Sequence, residues 1–145
     1  MAESSSCHPV PLAAEIRVAT NRLVRHMRAA RGQVELPEHQ FATLAYLHKH
    51  GPMTPGALAE LEGVKPPSMT RTVNALVEMG LAAKVGNDLD KRQVYVELTD
   101  AGRFEVTETR RLRDVWLTSR LEELTLEERQ ILATASELLK RIAGK

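Results

Sequence analysis

Apolar residues recur at three- and four-residue multiples early in the chain. Leu12, Ile16, Leu23 and Met27 fall on one side of a helix predicted from Leu12 to about Arg31, and arginines fill the other side. Pro9 and Pro11 are expected to delay that helix, which leaves 1–11 as a flexible Ser- and Pro-rich arm, and Gly32 is expected to end it. A second helix is predicted from about Pro37 to His50, with Phe41, Leu44, Ala45 and Leu47 as its buried stripe and Gly51-Pro52 as its stop. Thr54 then reads as an N-cap and Pro55 as the first residue of a short third helix that Gly63 closes. Pro66-Pro67 can open a fourth, because first-turn N–H groups have no intrahelical partner to lose. Along it Met69, Val73, Leu76, Val77 and Gly80 fall within about 100° of arc and point to a core. The opposite face carries Pro67, Ser68, Arg71, Asn74 and Glu78.

After Gly80 the period drops from 3.6 to 2. Leu81, Ala83 and Val85 alternate with Ala82 and Lys84, and beyond a charged stretch Val94, Val96 and Leu98 alternate with Gln93, Tyr95 and Glu97. This pattern predicts a two-stranded antiparallel hairpin. Thr99 is placed to cap a long helix through Phe104, Leu112, Val115 and Trp116. Thr125-Leu126-Glu127-Glu128 forms a capping box for a last helix through Ile131, Leu132, Leu138, Leu139 and Ile142. The fold class is therefore mainly α with a small two-stranded β wing, a winged helix-turn-helix flanked by N- and C-terminal helices.

Composition fits an ordinary globular domain of 145 residues, with 43% hydrophobic and 27% charged residues. No apolar run is long enough to span a bilayer and the opening residues lack a signal-peptide pattern, so a cytoplasmic protein without a membrane partner is expected. One cysteine, Cys7, cannot form an internal disulfide. The net charge of +1 hides segregation: between residues 13 and 33, five arginines stand against Glu15 alone. Sparse aromatics, 3%, argue against a base-stacking platform for single strands.

Two short helices with a tight turn and a following hairpin suit duplex DNA, since the second helix has the diameter to enter a major groove. Candidate contacts on it are Pro67, Ser68, Thr70, Arg71 and Asn74. Arg71 could fork onto guanine and Asn74 pair with adenine, while Ser68 and the free N–H groups of the helix start could hold a phosphate. Lys91 and Arg92 at the wing tip extend the footprint to the minor groove or a phosphate, and Asp90 is expected to brace an arginine, Arg71 among the alternatives.

The segments Leu58-Ala59-Glu60-Leu61, Gly63-Val64, Ser68-Met69-Thr70-Arg71, Leu76, Met79-Gly80-Leu81, Asp90-Lys91-Arg92 and Leu98-Thr99, in this order, resemble the MarR family of bacterial transcription regulators. The resemblance covers nearly the whole chain, and its most specific element is the wing Asp-x-Arg leading into Leu-Thr. It implies a homodimer on a pseudopalindromic operator, usually a repressor, whose affinity is lowered by a small phenolic ligand, a metal or oxidation. The family's wing aspartate and arginine map to Asp90 and Arg92. One departure is Lys65-Pro66-Pro67, which stands where a Ser-rich lead-in to the recognition helix is common and removes the usual capping hydroxyl. The implied organisation is an arm at 1–11, a first dimerisation helix within 12–36, a DNA-binding domain at 37–100 and C-terminal dimerisation helices at 101–145. Leu- and Ile-rich stripes at both ends fit a shared interface.

Other chemistries are weaker. Phosphate-loop, G-x-S-x-G and H-E-x-x-H motifs are missing, so no catalytic residue, metal ligand or cofactor is expected. His48 and His50 are two apart on a helix and point about 200° away from each other, which prevents chelation. A peroxide-sensing role for Cys7 would need a fixed electropositive setting, and Pro37–Phe41 supplies no tyrosine to hold it. Arg22, Arg25 and His26 on the first helix are candidates to meet the carboxylate of a small aromatic-acid effector, in a pocket expected among the first, second and long fifth helices. A winged-helix module that docks a protein instead of DNA is the alternative, and the charged wing speaks against it because protein docking favours exposed apolar anchors.

Overall fold

A computed structural model describes residues 5–30, 36–86, 88–90 and 92–144. The helices are α1 (Pro9–Ala29), α2 (Glu38–His50), α3 (Pro55–Glu62), α4 (Pro66–Glu78), α5 (Asp100–Glu122) and α6 (Leu126–Ala143), and the strands are β1 (Ala82–Gly86) and β2 (Val94–Leu98). The chain divides into two compact units, Gln33–Arg111 and the pair Met1–Gly32 with Leu112–Lys145, and α5 runs from one into the other. The units thus divide the chain at other points than 36/37 and 100/101: the first turns of α5 bury Gly102, Val106 and Thr109 with the winged part.

Within Gln33–Arg111 the apolar stripes converge. Phe41, Leu44 and Leu47 from α2 meet Leu58 and Ala59 from α3 and Met69, Val73 and Leu76 from α4, and Ala82, Val96 and Val106 close the core. Each contribution follows from the helical spacing, and burial of each large side chain is worth about 1.5–3 kcal/mol. The expected caps form. Thr54 Oγ1 accepts from Ala57 N–H at 3.2 Å to start α3. Gly63 ends it in the left-handed region at φ 66°, with Val64 N–H returning to the Ala59 carbonyl at 3.0 Å. Gly80 lies beyond the last turn of α4 and is exposed, so it takes no part in the core stripe predicted for it.

The wing is antiparallel, with Ala82 opposite Leu98, Lys84 opposite Val96 and Gly86 opposite Val94. Ala82 and Val96 are the buried pair, while Val85 is 41% exposed. The alternation of Ala83 and Val85 therefore does not mark the buried face of β1. The register places Ala83 and Val85 on the face of Glu97 and Tyr95, and a shift of one residue exchanges the faces of a strand. Met53, between α2 and α3, joins the sheet as an isolated bridge: its N–H donates to Val96 O at 3.0 Å and its carbonyl accepts from Val96 N–H at 2.7 Å. Thr99 fastens the other end, its hydroxyl donating to Gly80 O at 2.6 Å and accepting from Gly102 N–H at 3.1 Å.

In the other unit α1 begins at Pro9, three residues earlier than expected, after a 3-10 turn at Ser5–Cys7. The prolines do not delay the helix, because its first three residues need no intrahelical N–H. The expected stop at Gly32 lies outside the described residues. Among the described residues neither α1 nor α6 buries a single side chain, although both are amphipathic. Leu12, Leu23, Ile131, Leu132, Leu138, Leu139 and Ile142 are all exposed, Ile142 by 75%. The capping box of α6 is complete, with Glu128 N–H donating to Thr125 Oγ1 at 3.1 Å and Thr125 N–H to Glu128 Oε1 at 3.0 Å.

Candidate nucleic-acid interface

The outward face of α4 carries the residues expected there. Pro67, Ser68, Thr70, Arg71 and Asn74 are all exposed, while Thr72 beside them is buried and donates to Ser68 O at 3.1 Å. No described residue pairs with Ser68 Oγ or with the Arg71 guanidinium. Thr70 Oγ1 donates to Pro66 O at 3.0 Å, which leaves its oxygen as an outward acceptor. The helix start differs from expectation. Pro66 and Pro67 have no N–H, and those of Ser68 and Met69 both donate to Lys65 O, at 3.0 and 3.2 Å. An anion here must be held by side chains, since the backbone donors a helix N-terminus normally offers are absent or engaged.

Asn74 is tied to the wing. Lys84 Nζ donates to Asn74 Oδ1 at 2.6 Å, across from the middle of β1 to α4. Bidentate pairing with adenine needs that same oxygen to accept from the base amine. The bond therefore favours Asn74 as a donor through its amide nitrogen, beside a lysine that is itself a donor. Lys84 was missed in the sequence because the phase assigned to β1 treats it as an outward-facing gap. At the wing tip Asp90 Oδ1 accepts from Arg92 N–H at 3.0 Å, and Asp90 O accepts from Gln93 N–H at 3.0 Å. Asp90 thus fixes the backbone that presents the exposed Arg92. No ion pair joins Asp90 to Arg71 among the described residues, so the brace acts through the turn. Lys91 lies outside the described residues.

Beside α4 the first turn of α2 contributes His39 and Gln40, which together with Ser68, Arg71 and Thr72 line a pocket of about 310 Å³. Behind it Thr43, fully buried, places its hydroxyl 3.0 Å from His39 O and 2.9 Å from Glu62 Oε1. Burial pushes the Glu62 carboxyl above its ordinary value, and the Thr43 bond and the His39 charge oppose that rise. Neither His39 nor Gln40 stands out in the sequence as a contact, because only the fold brings them to α4. Among the described residues no group of three or more His, Cys, Asp and Glu is arranged to hold a metal ion.

In the other unit Arg22 and His26 line a pocket of about 440 Å³ with Ala19, Leu23, Trp116 and Arg120. The His26 ring stacks on Trp116 at 6.4 Å between centroids and 6° between planes, and the Arg120 guanidinium lies 5.5 Å from the indole centroid. Arg25 does not line it, and its walls come from α1 and α5 without the expected α2. Cys7 is exposed in the turn before α1. Among the described residues no helix is long and apolar enough to cross a membrane.

The MarR family profile matches residues 36–94, from the residue pair before α2 into β2. The chain is 39% identical over 128 residues to the HTH-type transcriptional regulator MT0903.1 of Mycobacterium tuberculosis, covering 88% of this chain and 90% of that protein. It is 34% identical over 89 residues to the HTH-type transcriptional repressor MdtR of Bacillus subtilis, covering 61% of this chain and 57% of that one. The crystal structure of RV1404 from Mycobacterium tuberculosis superposes with a TM-score of 0.86 at 27% identity, over 100% of this chain and 99% of that chain. With a helix-turn-helix, a wing and a donor-rich face in place, the chain belongs to the MarR family and is a DNA-binding transcriptional regulator.

Proposed function

We propose that the protein is a homodimeric repressor of a pseudopalindromic operator, with Pro67, Ser68, Thr70, Arg71 and Asn74 facing the major groove and Lys91 and Arg92 extending the contact along the duplex. The observation that carries this reading is the exposed polar face of α4 flanked by a wing whose tip is fixed by Asp90. The dimer is supported by the uncovered apolar stripes of α1 and α6: a helix with such a face buries it against something, and a second copy offers the same stripe in return. Two recognition helices about 34 Å apart would read successive major-groove faces, which one helix cannot. The relative MdtR is named a repressor, which favours that direction of control.

Action is by binding alone, without catalysis, in the cytoplasm. A small aromatic acid acting as effector fits the α1–α5 pocket, where Arg22, His26 and Arg120 surround Trp116. Selection of bound duplexes from a random pool tests the reading. A palindrome with half-sites one helical turn apart is expected, with affinity falling steeply as salt rises and with Arg92→Ala losing most of it. Recovery of unrelated sequences, or of no duplex at 50 mM salt, would refute it.

A further inference from the structure

The first turn of α2 and the near edge of α4 line a pocket that joins Ser68 and Arg71 of the recognition face to two α2 residues the scheme above does not use. His39, Gln40, Ser68, Arg71 and Thr72 line its volume of about 310 Å³. The side chains of Gln40, Ser68 and Arg71 have no hydrogen-bonding partner among the described residues, and that of His39 meets only the charge of Glu62 behind it. Gln40, Ser68 and Arg71 all offer N–H or O–H donors, and the His39 ring carries at least one. Arg71 adds a planar fork that suits a tetrahedral oxyanion. The Glu62 carboxylate accepts a hydrogen bond from Thr43 Oγ1 at 2.9 Å. Since the two prolines and the Lys65 carbonyl leave α4 without free N–H groups at its start, any anion beside this helix has to be held by these side chains.

The geometry points to this pocket as the seat of one backbone phosphate of the bound duplex, on the strand flanking the groove that α4 enters. It rests on the DNA-binding reading above and changes one part of it. Arg71 lies on the α2 side of the helix and grips the phosphate, so reading of base edges falls to Asn74 with Lys84 on the wing side. A phosphate contact at this corner would set how deep α4 sits and in which register, because such contacts position a protein without carrying sequence information.

The test uses the full chain and the duplex selected from the random pool. Gln40→Glu places a negative charge in the pocket with almost no change of shape. His39→Ala and Arg71→Ala each remove a donor-bearing side chain from the pocket wall. Each variant is expected to bind at least tenfold more weakly and to keep the wild-type base preference, and Arg71→Ala to lower the slope of log K against log salt by about 1. A scan of duplexes bearing one neutral methylphosphonate at a time should find a single position per half-site that weakens the wild-type protein and at which Gln40→Glu costs nothing further. Equal binding by Gln40→Glu and wild type, with Arg92→Ala still weakened, would overturn the seat and leave the regulator reading standing. A changed base preference in Arg71→Ala would return that residue to base readout and overturn it as well. Inorganic phosphate is the control probe: raised thermal stability at millimolar concentration without the methylphosphonate coupling would assign the pocket to a free anion. If wild type binds no duplex at all, the regulator reading and the seat fall together.

Discussion

Gly102 is the sharpest place to test the packing at the root of the wing. It lies in the first turn of α5, and a Cβ there would overlap the Leu81 carbonyl oxygen and stand 3.0 Å from its carbon and 3.1 Å from Leu98 Cδ2. Leu81 cannot give way easily. Its N–H donates to Leu76 O at 2.9 Å and its carbonyl accepts from Thr99 N–H at 3.2 Å. The helix must retreat instead, straining the Gly102 N–H bond to Thr99 Oγ1 at 3.1 Å and the seat of Val106. Overpacking against backbone costs about 3 kcal/mol, the upper end of its usual range. The strained cap adds about 1 kcal/mol, and alanine's better helix propensity returns about 1 kcal/mol. Gly102→Ala should then lose about 3 kcal/mol, or on the order of 10 °C in Tm for a chain of this size. Gly56→Ala in α3 is the matched control, since nothing lies within 4 Å of its added Cβ. It should be neutral or gain up to about 1 kcal/mol from propensity alone. Urea unfolding of both variants decides the matter, and a Gly102→Ala protein as stable as wild type would refute the close approach of α5 to Leu81.

The Glu62 carboxyl is raised by burial, so the folded chain retains a proton that the unfolded chain has released. Stability should therefore be fullest below the ordinary value of 4.5 and decline as pH climbs through the raised one. Glu62→Gln, which keeps an acceptor for Thr43, should flatten that decline, as denaturant midpoints measured from pH 4 to 8 would show. Lys84→Met frees Asn74 Oδ1, so selection from a random pool should move the facing base from an acceptor-rich guanine edge toward adenine, by about 1–3 kcal/mol of preference; an unchanged motif counts against the Lys84–Asn74 pair. Thr54→Ala removes the hydroxyl that caps α3 and should cost about 1 kcal/mol in thermal unfolding. Ile131→Glu with Leu138→Glu puts charge on the α6 stripe; sedimentation equilibrium should report a dimer for the unaltered chain and a monomer for the variant.

The helix ends were readable because their signals are local. Thr54-Pro55, Gly63 and the capping box at Thr125 each specify a chain end through bonds made within a few residues. Proline was the exception at Pro9 and Pro11, where the same missing N–H that breaks a helix interior is harmless in a first turn. Strand phase was lost because β1 has apolar residues at both parities, with Ala82 and Val85 two of the contenders, and only pairing with β2 selects a face. The interface divided in the same way. Exposed α4 residues follow from helical period, but Lys84 on Asn74 and His39 and Gln40 beside Arg71 are juxtapositions of distant elements, and no spacing in the sequence announces them. The Arg71–Asp90 brace was a plausible pairing of opposite charges, yet Asp90 spends its carboxylate on the neighbouring backbone, a bond available at no cost in loop closure.

The bridge between Met53 and Val96 makes the wing something other than a loose flap. Two backbone hydrogen bonds stitch the middle of β2 to the corner where α2 hands over to α3. Tilting the hairpin must drag that corner along, and with it the leading helix of the pair. With the wing laid along the minor groove as proposed above, a change of groove width would reach the reading head as a twist, and DNA shape and base identity would be judged in a single motion.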